Sequence, residues 1–214
     1  MPSAIITGGK GGLGQALTAE FLQAGWDVDA PGREELDVTD GIAVKNYFSS
    51  RDPDLVVCNA GLVRDKPLAG LLESDWDQVL AVNLDGAANC ARWASRSMLG
   101  KRTGHLVFIS SYSALHPPTG QSAYAAAKAG LLGLMKSLAR ELGPAGIRVN
   151  AVLPGFLETS MTVGVSPERR EAVRSGHVLG AFNTPAAVAR FIRTLQEDLP
   201  YTSGQVFQLD SRIA

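Results

Sequence analysis

Short apolar runs alternate along the chain with longer stretches in which apolar residues recur at helical spacing. Ala4–Ile6, Asp54–Cys58, His105–Ile109, Ile147–Leu153 and Val206–Leu209 read as strands, being brief, β-branched or apolar, and bounded by turn residues. Asp27–Ala30 reads as a further strand, second in order, though it is poor in apolar residues. Between them the spacing predicts a helix from about Leu13 to Ala24, with Leu13, Leu17, Phe21 and Leu22 on its buried side and Gly25 as its stop. Another runs through Ile42, Val44 and Phe48, with Thr39 or Asp40 as its cap, and a third is capped by Ser74 and includes Trp76, Val79, Leu80 and Val82. Helix resumes at Gly86 and ends near Gly100, and Ala123–Leu142 forms a long central helix stopped by Gly143–Pro144. Ser166–Pro167–Glu168 and Thr184–Pro185 are two more helix starts. Strands alternating with helices imply an α/β fold: one doubly wound domain over residues 1–214 with a mainly parallel sheet.

One interval is too short for that pattern. Only Glu34–Glu35–Leu36 separates Arg33 from Asp37–Val38, whereas a parallel crossover carrying a helix needs about ten residues or more. One crossover helix is therefore missing after the second strand, leaving Leu36–Asp37–Val38 as the stub of a third.

Composition narrows the function classes. With 45% apolar and 19% charged residues and a net charge of −1, the chain fits a globular protein and lacks the basic stripe of a nucleic-acid binder. No apolar run approaches a membrane span, and Met1–Pro2–Ser3 leads straight into a strand, so a cytoplasmic protein without signal peptide or membrane anchor is expected. Cys58 and Cys90 read as small buried residues rather than a disulfide. No histidine looks catalytic, and no cysteine–histidine cluster suggests a metal.

Three stretches carry chemistry. Thr7–Gly8–Gly9–Lys10–Gly11–Gly12–Leu13–Gly14 lies between the first strand and a helix, where glycines let backbone N–H groups approach a pyrophosphate at the helix N-terminus. Its spacing, Thr-Gly-x-x-x-Gly-x-Gly, differs from G-x-G-x-x-G. Tyr124 and Lys128 lie four apart on one helix face, where an ammonium would favour phenolate and pull the phenol down from about 10 toward working pH. Ser110, Ser111 and Ser113 follow the strand before that helix and compete for a hydrogen-bonding role beside it.

Gln121–Gly130, with the glycine-rich turn, Asn59–Ala60–Gly61, Asn83 and Pro154–Gly155, resembles the short-chain dehydrogenase/reductases, most closely the 3-oxoacyl-acyl-carrier-protein reductase branch. The resemblance implies a Rossmann-type fold. It also implies that Tyr124 is the catalytic acid, and that Lys128 binds the nicotinamide ribose and lowers the tyrosine pKa. Asn83 would order a water linking that lysine to solvent. The family's spacing of thirteen residues selects Ser111 as the substrate-oxygen donor. Gly8, Lys10, Gly12, Leu13, Gly14, Arg33, Asp37, Val38, Asn59, Ala60, Gly61, Pro154, Gly155 and Thr159, with Tyr124 and Lys128, would contact the cofactor. The family's acidic NAD-selecting position falls here on Gly32, with Arg33 after it and Lys10 facing it, so NADPH is expected ahead of NAD.

The expected activity is NADPH-dependent reduction of a ketone, such as a 3-oxoacyl thioester or similar small carbonyl compound. The alternatives are an NAD(P)-dependent alcohol or sugar dehydrogenase and, outside enzymes, a dinucleotide-sensing binding protein. Residues 155–182 carry Leu157, Met161, Val163, Val165 and Leu179, an apolar lid over an acyl chain. Lys101 and Arg102 match one basic docking place for an acidic carrier, while Ala145 leaves the other empty. Leu131, Leu134, Met135, Leu138 and Leu142, with Gly130 and Gly133, suit pairing of the central helix in a homodimer or homotetramer. The C-terminal Asp-Gly-Gly of many members is replaced by Asp210–Ser211–Arg212.

Overall fold

The computed structural model describes residues 1–213. Six strands, β1 (Ser3–Ile6), β2 (Asp27–Asp29), β3 (Leu55–Cys58), β4 (Gly104–Ile109), β5 (Ile147–Leu153) and β6 (Val206–Gln208), form one sheet in the order β2-β1-β3-β4-β5-β6. Every pairing is parallel. The helices are α1 (Gly12–Gln23), α2 (Gly41–Ser49), α3 (Glu73–Leu80), α4 (Gly86–Lys101), α5 (Ser122–Leu142), α6 (Pro167–Ser175) and α7 (Pro185–Glu197).

Alternation along each strand divides the core into two layers. Leu106 and Phe108 of β4 join Val44, Phe48, Ala91, Met98, Leu131 and Met135 from α2, α4 and α5. Val107 and Ile109 face the other way, onto Leu13, Leu17 and Phe21 of α1 and Val188 and Ile192 of α7. Both faces of the sheet are thus covered, as a parallel sheet requires. No helix is long and apolar enough to cross a membrane among the described residues, and Cys58 and Cys90 are buried free thiols.

Several local expectations are corrected. Leu36–Val38 is no strand: Leu36 N–H bonds Gly32 C=O in a turn, and Leu36 and Val38 are buried as plugs under α2 and α4. The chain reverses there before it can reach the sheet. That leaves β2 as the edge strand, and Asp27 and Asp29 beside Val28 give it the charge that discourages edge pairing. Leu22 of α1 and Ile42 of α2 are exposed. Asp40, not Thr39, caps α2, accepting from Ile42 and Ala43 N–H. Ser74 lies inside α3, whose N-cap is Leu72. Along α5, Leu131, Met135 and Leu142 are spent on the chain's own core, and Gly130 seats Leu84, whose Cδ2 would lie 3.0 Å from an added Cβ.

α7 is tied to the sheet through a buried histidine. His105 Nδ1 lies 2.8 Å from Gln196 Oε1, so it carries the proton, and Nε2 accepts from Asn150 Nδ2 at 3.0 Å. Burial, then the Arg148 charge, pushes its pKa down to about 3. The unfolded chain binds the proton from about 6.5 downward and the folded one does not, so this group destabilises the fold as pH falls through that window. Urea unfolding should show up to ~1.4 kcal/mol lost per pH unit from this residue, and His105→Gln should flatten that component. An unchanged slope in the variant would contradict the assignment.

Candidate active site

Strand order reverses between β1 and β3, so a crevice opens outside their carboxyl ends. A cleft of about 480 Å³ occupies this place. One end is built from backbone. Gly8 has φ of +65°, and a Cβ on it would meet Ala60 Cα at 2.8 Å. A Cβ on Gly14 would meet Gly8 C=O at 2.4 Å, so Gly14 lets α1 pack on the turn from behind. Thr7 Oγ1 accepts from Asn59 N–H at 3.0 Å and Ala60 N–H at 3.1 Å, while Asn59 Nδ2 donates to the Thr7 and Gly8 carbonyls. No side chain caps α1. Its first-turn N–H groups therefore remain available to a phosphate, and Gly12 and Leu13 line the cleft beside them. A dinucleotide fits this turn on its donors and on the lack of side chains.

The opposite wall holds the expected chemistry. Ser111, Tyr124 and Lys128 all line the cleft, from the end of β4 and the first turns of α5. The three serines separate cleanly. Ser110 is buried, its hydroxyl donating to Lys128 C=O at 2.8 Å, and Ser113 donates to Gln121 Oε1 at 2.7 Å. Of the three, Ser111 is the one that acts on the acidity of Tyr124, drawing it down. Asn83 is fully buried in a stretch of π-helix, Ala81–Asp85, between α3 and α4. Its Nδ2 donates to Val79 C=O at 2.8 Å, one turn back along the widened helix, and to Leu62 C=O at 2.7 Å. Gly61 lies between: a Cβ there would be 3.1 Å from Asn83 Oδ1 and 3.8 Å from Lys128 Nζ.

The acidity differs from expectation. Burial in the cleft wall pushes Tyr124 up to about 12, against the pull of Ser111 and with further push from Asp65. Burial pushes Lys128 down to about 8, and its Nζ donates to Ile109 C=O at 2.9 Å. With Nζ 5.6 Å from the Tyr124 ring centre, desolvation outweighs any pull of the ammonium on the phenol.

Of the expected cofactor residues, Gly8, Lys10, Gly12, Leu13, Arg33, Asn59, Ala60, Gly61, Pro154, Gly155 and Thr159 line the cleft with Tyr124 and Lys128. Asp37 and Val38 do not. Asp37 accepts from Thr39 N–H and Oγ1, and Val38 packs on Gly86. Nor are the cations unopposed. Glu35 accepts from Gly32 N–H at 2.8 Å and lies 3.7 Å from Lys10 Nζ, while Arg33 pairs with Asp37 at 3.4 Å. Within the lid, Leu157, Met161 and Val165 reach the cleft, whereas Val163 and Leu179 are exposed away from it. Lys101 and Arg102 precede β4, at the amino ends of the strands and so at the far edge from the cleft, with Lys101 bound to Asp52, Pro53 and Asp54. Sequence reasoning missed Asp65, Tyr112, His116, Arg169 and Arg212 in the cleft wall. Asp65, His116 and Arg212 come from irregular segments whose spacing carries no period, Tyr112 from a single helical turn after β4, and Arg169 from the start of α6.

A family profile described as "Enoyl-(Acyl carrier protein) reductase" matches residues 10–211. The 3-oxoacyl-[acyl-carrier-protein] reductase FabG of Thermotoga maritima is 37% identical, over 96% of this chain and 95% of that protein. The chain belongs to the short-chain dehydrogenase/reductase family. A further short-chain relative, the 3-oxoacyl-[acyl-carrier-protein] reductase MabA of Mycobacterium bovis, is 34% identical over 97% of this chain and 91% of its own. Among solved structures, a Beutenbergia cavernae protein described as an NAD(P) dependent gluconate 5-dehydrogenase, with bound NADP at low occupancy, superposes with a TM-score of 0.94. It is 28% identical and covers 98% of this chain and 95% of that one. A Brucella melitensis 3-oxoacyl-[acyl-carrier protein] reductase superposes with a TM-score of 0.90 at 27% identity, covering 97% of this chain and 89% of the other. The Thermotoga alignment spans 233 positions against 214 residues here, so that relative carries residues this chain lacks.

Proposed function

We propose that this short-chain reductase uses NADPH to reduce a ketone to a secondary alcohol, with a 3-oxoacyl thioester or similar small carbonyl compound as substrate. The observation that carries the reading is the facing of two walls: an open helix N-terminus and glycine turn opposite Ser111, Tyr124 and Lys128. Bound NADPH supplies the hydride. Tyr124 gives its proton to the carbonyl oxygen, and a phenol at about 12 stays protonated throughout the neutral range. Ser111 donates to the same oxygen as negative charge develops. Lys128 holds the nicotinamide ribose, and Asn83 keeps the Leu62 peptide in place across Gly61, on the route of proton resupply. Lys10 and Arg33 are the residues offered to the 2′-phosphate, weakened by Glu35 and Asp37. Residues 155–182 serve as the lid, through Leu157, Met161 and Val165.

The likeness to a gluconate dehydrogenase supports a second reading, oxidation of an alcohol or sugar. In that direction the same phenol would accept the proton that it donates in reduction, so the two readings share one set of residues. Buried free thiols suit the reducing cytoplasm. Two copies would pair along the outer side of α5, where Gly133 has nothing within 4 Å of an added Cβ.

Three outcomes test this reading. Tyr124→Phe should lower turnover at least about 10²-fold while leaving the Kd of NADPH unchanged; near-normal turnover would remove the acid assignment. With Lys101 at the far edge, a 3-oxoacyl carrier protein and the matching coenzyme A ester should differ by less than about tenfold in kcat/KM. A carrier preference above about a hundredfold would reveal a docking surface elsewhere, and no turnover of either ester would sink the acyl reading. Light scattering at micromolar concentration should give twice the chain mass or more; the mass of one chain would dismiss the pairing.

A further inference from the structure

The C-terminal tail builds a part of the cleft wall that the reading above leaves unused. Asp210 has a fully buried side chain, pressed on the turn after β5: a Cβ on Gly155, where φ is +82°, would sit 2.7 Å from Asp210 Cβ. Its Oδ2 accepts from Arg212 Nε at 2.9 Å and Nη2 at 2.5 Å, and leaves His177 Nε2 at 3.9 Å. The guanidinium lies on the Tyr112 ring, with Cζ 3.5 Å from its centre. Tyr112 is the residue after Ser111. The tail backbone is held too, since Arg212 bridges His177 and Ser211 accepts from Val178 N–H at 3.1 Å and Leu179 N–H at 3.3 Å.

Arg212 is thus fixed on one face, along its Nε–Nη2 edge and through its backbone, with a side chain only 14% exposed. It lines the cleft together with Ser111 and Tyr124. Nη1 makes no hydrogen bond among the described residues. A guanidinium carries five donors, and one left unpaired in a sheltered wall is a recognition group. The carboxylate of Asp210 already supplies the countercharge. A second anion would therefore add little, and a neutral acceptor suits the free edge better.

We propose that Arg212 is a substrate-specificity residue, whose free Nη1 edge donates to a second, uncharged carbonyl oxygen beside the reacting ketone, as in a 3-oxo thioester, ester or amide. This rests on the ketone-reductase reading and narrows its substrate class. The test compares kcat/KM for a short 3-oxo thioester and for a simple ketone of equal length, in the wild type, Arg212→Ala and Arg212→Gln, alongside the Kd of NADPH. Arg212→Ala should lose about ten- to a hundredfold on the 3-oxo thioester, the worth of one hydrogen bond to a charged group. It should lose less than about threefold on the simple ketone and keep the Kd of NADPH. Should Arg212→Ala not fold, Arg212→Gln, which keeps a planar side chain over Tyr112, must show the same selective loss. Equal losses on both substrates would show that the tail only packs the wall, and would overturn the inference alone. A wild type that binds NADPH but reduces neither compound would overturn the reductase reading and this inference with it.

Discussion

Everything in the cleft depends on how closely the carboxyl ends of β1 and β3 approach each other. Thr7 and Asn59 lock the two strand ends through four hydrogen bonds, using one buried hydroxyl and one amide. The approach is tight enough that a single methyl on Gly8 would strike Ala60. A backbone-lined gap results, with helix donors pointing into it and no side chain to fill it. Narrowing that gap would need atoms to overlap.

The facing wall is dominated by desolvation. Lys128 is buried among Ile109, Asn83 and Gly61, and its ammonium is disfavoured there. Tyr124 stands in the same environment, where phenolate is disfavoured more strongly than Ser111 favours it. Burial supplies most of that preference for the protonated phenol, and the Asp65 carboxylate adds to it. Asn83 belongs to the same economy: its amide satisfies the Val79 and Leu62 carbonyls where the helix is locally widened.

The short segment after β2 shapes one rim of the cleft. The turn that replaces a helix and a strand carries Glu35 back onto Gly32 N–H and within reach of Lys10. Lys10 and Arg33, both on this rim of the cleft, are then each partnered by a carboxylate, Glu35 and Asp37. The same shortening turns β2 into an edge, which accounts for its acidic, sparsely apolar residues.

The chain's own pattern determined the alternation of strand and helix, and with it the parallel sheet, because both sheet faces must be covered and each strand therefore reads as an apolar run. It also determined the glycine turn, the Tyr124–Lys128 face and the missing crossover, since each is a matter of local spacing along the backbone. Tertiary structure decided the rest. Which serine meets Tyr124 depended on where Lys128 C=O and Gln121 captured the other two hydroxyls. Whether Lys101 could greet a partner at the cleft depended on which end of β4 it precedes. The acidity of Tyr124 and the seat of Arg212 on Tyr112 arise from groups distant in the chain, brought together only when the sheet closes. Spacing can place residues on one face of one element; it carries no information about what is buried against them.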